Sequence, residues 1–315
     1  MGGVTPGYET GRFDEGGIVR VSWVTLRRWA AVSATLVALA CLAPLAATGP
    51  ASAALTWAPS STATIHPGVQ MFTAGSQCTA NFVYYDGTNV YVGQAAHCSG
   101  TGGNTETNGC TSGTLPVGTQ VDVDGASKPG VMVYNSWITM QRLGEKDANT
   151  CQYNDLALVK LDPSDVASVN PSVPHWGGPV GLDTTGTTPG EKVYSYGNSE
   201  LRGGVSQTSP KEGTSQGDTG AGWSHTVMTY NPGIPGDSGS GFLDATGNAL
   251  GVLSTIDVGF PTGVTNGVGD LAKELSYLHA HESSFASVQL VDGTDPFQAG
   301  TLPGLGGLLG GLGLA

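Results

Sequence analysis

Short runs of alternating apolar and polar residues dominate this chain, and they predict β-strands. Two such runs, 80–85 and 89–95, flank the turn Asp86-Gly87-Thr88, which is typical of a β-hairpin. Gly, Pro and Asn separate the remaining runs from one another. The other predicted strands lie at 117–123, 131–140, 156–161, 191–196, 224–229, 239–243 and 249–255.

One segment near the end of the chain has helical periodicity instead. Leu271, Leu275 and Leu278 lie at i, i+4 and i+7, and Asp270 is placed to cap the start of the helix. Between the two groups of strands, residues 162–179 contain four prolines and few periodic apolar positions, which is typical of a linker. The pattern predicts an all-β fold of two six-stranded antiparallel β-barrels with a C-terminal helix.

The composition agrees with this fold and excludes some classes of function. Gly accounts for 50 of 315 residues, and only 12% of residues are charged, against a usual ~25%. These values argue against helical bundles, coiled coils and helical repeats. The net charge of −13 argues against nucleic acid as the main partner, because phosphate binding requires clustered Lys and Arg.

The first fifty residues have the pattern of a secretory signal peptide. Arg27 and Arg28 precede the uncharged run 29–47, and Ala51-Ser52-Ala53 follows it. An uncleaved membrane anchor is the alternative, but a proline and many small residues favour cleavage after this tripeptide. We therefore expect a secreted protein with no membrane association once the signal is removed.

The cysteines are consistent with export. Four cysteines in an exported chain predict two disulfides, and three pairings are open. No Cys-x-x-Cys motif occurs, which argues against a zinc ribbon or a thioredoxin-type site, and we expect no metal and no cofactor. The cysteines that follow the predicted signal peptide are Cys78, Cys98, Cys110 and Cys151.

Three local motifs carry potential chemistry. His97 ends an apolar strand, Asp155 precedes an apolar strand, and Ser238 lies in a glycine-rich turn. A serine hydroxyl becomes a good nucleophile when an imidazole takes its proton, and a carboxylate must fix the tautomer of that imidazole. The sequence therefore predicts His97 as base, Asp155 as its orienting group and Ser238 as nucleophile. The backbone N–H groups of Gly236 and Ser238 would form the oxyanion hole.

Each motif alone also has a purely structural explanation. A histidine beside a cysteine can pack at a strand end, an acid commonly starts a strand, and glycine-rich turns are frequent in this chain. Asp147 and Asp162 compete for the role of Asp155, but both lie in turn-like contexts with no apolar strand after them. The combination of the three motifs favours the catalytic interpretation.

The order and local context of these residues resemble the chymotrypsin/trypsin-like serine peptidases, particularly secreted bacterial ones. The matching segments are Ala-Ala-His-Cys at 95–98, Asn-Asp-Leu-Ala-Leu at 154–158 and Gly-Asp-Ser-Gly-Ser-Gly at 236–241, within about residues 78–278. The resemblance implies a double β-barrel with its active site between the barrels. It also implies a secreted serine endopeptidase, expected to be monomeric, that acts on protein or peptide substrates through an acyl-enzyme.

The resemblance also implies a pairing of the cysteines and is consistent with a division of the chain into domains. It implies a Cys78–Cys98 disulfide and, with it, Cys110–Cys151. The Ile-Val-Gly-Gly start of many relatives is absent, so Asp237 needs a partner other than a new amino terminus. The predicted domains are the signal peptide with its extension at 1–53, the first barrel at 54–165, the second barrel with the helix at 166–292, and a Gly/Leu-rich tail at 293–315. Within this tail we expect residues 300–315 to be mobile, with a surface-association element as the alternative.

The resemblance also implies a primary specificity pocket formed by Pro232, Ser254, Thr255, Ile256 and Gly263. Pro232 stands where family members that select Lys or Arg have a carboxylate. Ile256 would narrow the pocket, and Gly263 would keep its opposite wall clear. We expect a shallow apolar pocket that accepts Ala, Val or Leu better than Phe and excludes Lys and Arg.

Two other functions would use the same set of residues. One is a catalytically silent protease-like domain that binds surfaces, and the other is an esterase with the same triad. The complete set of three polar residues argues against the silent domain, because a binding surface has no physical need for it.

Overall fold

The computed structural model describes residues 55–103, 107–259 and 263–300. The predicted signal peptide and residues 301–315 of the predicted tail lie outside these ranges. No helix within them is both long enough and apolar enough to cross a membrane.

The first half of the chain forms a curled antiparallel sheet. Its strands follow one another as β1 (Gln70–Thr73), β2 (Ser76–Thr79), β3 (Val83–Tyr85), β4 (Val90–Ala95), β5 (Gln120–Val123), β6 (Gly130–Asn135) and β7 (Leu156–Lys160). The C-terminal strand Gln289–Leu290 pairs with β3, so the sheet has eight strands where we predicted six. The sheet curls into a half-barrel, and the end of the chain supplies one of its two edge strands.

Local residues explain the hairpin of β3 and β4. The Asp86 side chain accepts hydrogen bonds from the backbone N–H groups of Thr88 and Asn89, and Gly87 takes a φ of +95° in the turn. Strand β4 is buried along its whole length. Alternate residues of β4 belong to two different apolar clusters, so both faces of the strand are covered.

The second half of the chain forms a closed six-stranded barrel, as predicted. Its strands are β8 (Lys192–Tyr196), β9 (Pro210–Thr219), β10 (Ser224–Thr229), β11 (Gly241–Leu243), β12 (Ala249–Gly259) and β13 (Gly263–Asp270). Strand β9 has no apolar alternation in its sequence, although its buried side is regular and includes Lys211 and Ser215. The C-terminal strand of the first sheet is β14 (Gln289–Leu290).

The described residues form three α-helices, α1 (Ser136–Leu143), α2 (Ala148–Tyr153) and α3 (Leu271–His281). Helix α3 is the predicted one, and the Asp270 side chain accepts from the N–H of Lys273 at its start. The prediction of a strand over 131–140 is wrong in its second half. The Asn135 side chain accepts from the N–H of Trp137, and this cap begins α1.

One apolar cluster joins the two halves of the molecule. It contains Leu156 and Leu158 of β7, Leu243 and Val252 of the barrel, and the buried leucines of α3. Because these side chains pack together away from water, they hold the half-barrel against the barrel. The candidate site lies in the cleft between the two.

Candidate active site

Strand pairing places His97 beside Asp155. His97 follows β4, Asp155 precedes β7, and the two strands pair with Ala95 opposite Leu156. The His97 Nδ1 atom lies 2.7 Å from Asp155 Oδ2, and the His97 backbone N–H donates to Oδ1 at 2.9 Å. Two residues 58 positions apart in the sequence are therefore held in one rigid contact.

The surroundings of this pair determine its electrostatics. The Asp155 side chain is only 4% exposed and accepts a further hydrogen bond from Ser254 Oγ at 2.6 Å. Burial by itself lowers the pKa of His97, but the Asp155 charge and hydrogen bond outweigh burial and raise it above 6.5. Because the carboxylate accepts at Nδ1, the proton of a neutral imidazole lies there and leaves Nε2 as the basic nitrogen.

A disulfide anchors the residue next to His97. Cys98 is joined to Cys78 of β2, and the second disulfide joins Cys110 to Cys151 of α2. These are the two pairs that the resemblance implies. The first fixes the turn that carries His97, and the second fixes the helix that ends just before Asp155.

The turn that carries Ser238 is docked against the half-barrel. Thr79 N–H donates to the Ser238 carbonyl at 2.8 Å, and Gly239 N–H donates to the Leu253 carbonyl at 2.7 Å. Gly239 has a φ of +88°, and a Cβ there would lie 2.7 Å from the Thr79 carbonyl oxygen. Only glycine therefore permits this approach.

Ser238 and His97 line the same cleft, whose volume is about 640 Å³. No hydrogen bond joins Ser238 Oγ to His97 within the part of the chain that the structure describes. Hydrogen bonds between catalytic groups are often long in free enzymes and shorten when substrate binds. The structure therefore brings the predicted nucleophile to the cleft of the predicted base without a hydrogen bond between their side chains.

Two backbone N–H groups of the turn are available to a ligand. Asp237 N–H donates to the Ile234 carbonyl and Gly239 N–H to the Leu253 carbonyl, whereas Gly236 and Ser238 donate to no acceptor among the described residues. Gly236 has a φ of +94°, which favours glycine. The two free donors are those predicted for the oxyanion hole.

Asp237, next to Ser238, is fully buried, and it has two cationic partners. Lys211 Nζ lies 2.9 Å from Asp237 Oδ2, and the Arg202 guanidinium also contacts that oxygen. The backbone N–H of Ser199 donates to Oδ1, and that of Ile234 donates to Oδ2. These contacts supply the partner that the sequence left open, and they hold the turn from beneath.

The charges in this cluster remain paired. Burial raises the pKa of Asp237, but Lys211 and Arg202 outweigh burial and lower it. Burial lowers the pKa of Lys211 to about 8, although the Asp237 charge opposes this. Removing one partner from such a buried group leaves an uncompensated charge, which is strongly destabilising.

The structure places three of the five predicted pocket residues at the cleft and two away from it. Ser254, Thr255 and Ile256 line the cleft, whereas Pro232 and Gly263 are not among the described residues that line it. The Pro232 carbonyl accepts from Arg202 and Lys211, and Gly263 pairs with Gly259 at the end of the β12–β13 hairpin.

The pocket wall opposite Ile256, which we expected Gly263 to form, is formed by Asn266. It lies opposite Ile256 in the strand register and lines the cleft. Its Oδ1 accepts from Gly233 N–H at 2.8 Å, and its Nδ2 donates to the Thr255 carbonyl at 3.1 Å. A buried amide therefore bridges two walls of the pocket. The sequence did not indicate this contact, because the residue opposite Ile256 depends on the register of the β12–β13 hairpin.

The competing acids have structural contacts. Asp147 accepts from the N–H of Thr150 and caps α2, and the half-buried Asp162 accepts from Lys128 Nζ at 3.1 Å. One group in the described chain has metal-ligating residue types close together, namely Cys78, His97 and Cys98. Both sulfurs of this group belong to the disulfide, so it has no thiolate to offer a metal ion.

Comparison with known proteins finds similarity to solved structures. No protein-family model matches the sequence, and no curated protein matches it. Solved structures of bacterial proteases do match. This chain is similar in structure to chymotrypsin-like serine proteases.

Three of these structures illustrate the extent of the similarity. Thermobifida fusca Protease A is 18% identical, with a TM-score of 0.47 over 73% of this chain and 99% of that one. Nocardiopsis protease is 20% identical, with a TM-score of 0.43 over 72% and 98%. Cellulomonas bogoriensis chymotrypsin is 19% identical, with a TM-score of 0.42 over 72% and 98%. The function of this chain is therefore argued from its own residues.

Proposed function

We propose that this protein is a secreted serine endopeptidase that cleaves peptide bonds through an acyl-enzyme. The main support is the 2.7 Å contact between His97 Nδ1 and the buried Asp155 carboxylate, in a cleft that also contains Ser238. Two disulfides support an oxidising compartment, which is consistent with export.

The proposed reaction has two steps. Ser238 Oγ attacks the carbonyl carbon of the scissile bond while His97 Nε2 takes its proton, and the N–H groups of Gly236 and Ser238 stabilise the oxyanion. His97 then returns the proton to the departing amine as the C–N bond breaks. Water attacks the acyl-enzyme with the same proton transfers, releases the acid and restores the Ser238 hydroxyl.

Activity-based labelling tests this proposal directly. A fluorophosphonate probe should label wild-type protein at one serine, and Ser238→Ala should abolish labelling while leaving the fold intact. The matched control is Ser240→Ala, which removes the hydroxyl two residues away. Labelling of Ser238→Ala would disprove Ser238 as the nucleophile. No labelling of the folded wild type would instead support the silent surface-binding domain.

Substrates then separate a peptidase from an esterase. The proposal predicts turnover of peptides as well as esters, whereas turnover of esters alone would support the esterase. For specificity we propose a shallow apolar pocket, because the branched side chain of Ile256 lines the cleft and would narrow it. In a peptide library, cleavage should follow Ala, Val or Leu. Dominant cleavage after Arg, Lys, Phe or Tyr would disprove this pocket.

A further inference from the structure

Helix α3 carries a carboxylic acid on its apolar face. Glu274 lies on the same side of the helix as Leu271, Leu275 and Leu278, and its side chain is fully buried. An acid at such a position is rare, because burying a charge away from water is costly. The contacts of Glu274 therefore call for an explanation.

The Glu274 carboxyl contacts the backbone of the proposed triad. Its Oε1 atom accepts a hydrogen bond from the backbone N–H of Asp155 at 2.8 Å, across 119 residues of sequence. Room for this contact depends on Gly269 of β13, since a Cβ there would lie 2.8 Å from the same oxygen. The Asp155 residue is thus held by Glu274 at its backbone and by His97 and Ser254 at its side chain.

The surroundings favour a neutral Glu274. Burial, together with the charges of Asp155 and Asp270, raises its pKa well above the usual value. The hydroxyl groups of Tyr84 and Tyr134 are buried nearby and carry no positive charge that would stabilise a carboxylate. A neutral acid accepts the Asp155 hydrogen bond without placing a second negative charge behind the Asp155 carboxylate.

We propose that Glu274 is a positioning residue for the triad, which holds the Asp155 backbone from helix α3 so that its carboxylate meets His97 Nδ1. This inference rests on the proposed function for its catalytic consequence. The geometric consequence is independent of activity: loss of the acceptor should loosen the contact between Asp155 and His97.

Three variants separate the acceptor from the packing of the helix. Glu274→Leu removes the acceptor but keeps the apolar face, and Glu274→Gln keeps a neutral acceptor. Gly269→Ala retains Glu274 but displaces its carboxyl group, because the new methyl group would occupy the space of Oε1. Leu278→Ala is the control, since it loses buried packing on the same helix but removes no hydrogen-bond acceptor from Asp155.

The primary measurement is the proton NMR signal of His97 Nδ1–H and the titration of His97. We expect Glu274→Leu and Gly269→Ala to weaken the far-downfield signal and to lower the pKa of His97 toward ~6.5. Glu274→Gln and Leu278→Ala should keep both as in the wild type. With peptide substrate, kcat should fall by up to about 100-fold in Glu274→Leu and Gly269→Ala, with little change in KM.

Distinct outcomes would overturn the two proposals. An unchanged His97 signal and pKa in folded Glu274→Leu, or in Gly269→Ala should the former not fold, would refute the positioning role. Loss of the signal in Glu274→Gln would refute the neutral acceptor. Absence of probe labelling in the wild type would refute the proposed function, whereas the His97 measurements would still decide the role of Glu274.

Discussion

Among the described residues, His97 and His225 each contact a carboxylate, and they differ in whether a ring nitrogen remains free. His97 Nδ1 contacts Asp155 at 2.7 Å, and its side chain is 26% exposed at the cleft. His225 of β10 is fully buried, with Nδ1 2.7 Å from Asp218 and Nε2 3.2 Å from Asp270. The same residue types thus occur twice, but His225 has a carboxylate at each nitrogen.

This difference separates a candidate base from a structural cation. A general base needs a nitrogen lone pair that substrate can reach, and both nitrogens of His225 are engaged. Burial lowers the pKa of His225, but hydrogen bonds to Asp270 and Asp218 outweigh burial and raise it. A protonated His225 donates to both carboxylates and so links the end of β9 to the cap of helix α3. The availability of one nitrogen, and not the presence of a carboxylate, distinguishes the two sites.

Substitution of each site gives the largest expected contrast. Asp155→Asn should lower kcat/KM about 10⁴-fold, because the amide favours the wrong tautomer of His97. The corresponding change at the other site, Asp218→Asn, should leave kcat/KM within about threefold, since His225 does not touch the cleft. Steady-state kinetics on purified, folded variants measures both values. A comparable loss in the two variants would show that the sites are not separate in function.

The free energy of unfolding should depend strongly on the His225 site, which catalysis does not use. His225→Gln should lower the free energy of unfolding by about 3 kcal/mol, because it leaves the buried carboxylate of Asp270 without its cationic partner. The raised pKa of His225 places this stabilisation below pH ~6.5, and it should fade as the pH rises through the pKa of the folded protein. Urea unfolding of the wild type and His225→Gln at several pH values measures the difference. A difference that grows with pH would contradict a protonated His225.

The smallest expected effect is on the pH dependence of kcat/KM, which should respond to His97 and not to His225. Protonated His97 cannot act as base, so kcat/KM should fall about tenfold for each pH unit below its pKa. Because that pKa is raised, the midpoint of the acid limb should lie above ~6.5, and His225→Gln should not move it. A rate that is constant from pH 5 to 8 would contradict a histidine base. A shift in His225→Gln would show that the second histidine is coupled to the first.

Much of the local structure was predictable because neighbouring residues determine it. The turn at Asp86 and Gly87 and the start of α3 at Asp270 each depend on hydrogen bonds within a few residues. Helix α1 was missed because the apolar run through 131–140 fits a strand as well as a helix. Only the cap at Asn135 distinguishes the two, and its effect on so short a run is small.

By itself, the sequence determined which residue types could perform the chemistry, the glycines around Ser238 and the division into two β-rich halves. The tertiary structure alone decided which distant residues meet. It opposes Asn266 to Ile256, places Lys211 and Arg202 on Asp237, and brings Glu274 to the backbone of Asp155. These contacts depend on strand register and on the packing of α3 between the two halves. Such long-range terms arise only when the whole core closes, so no local pattern contains them.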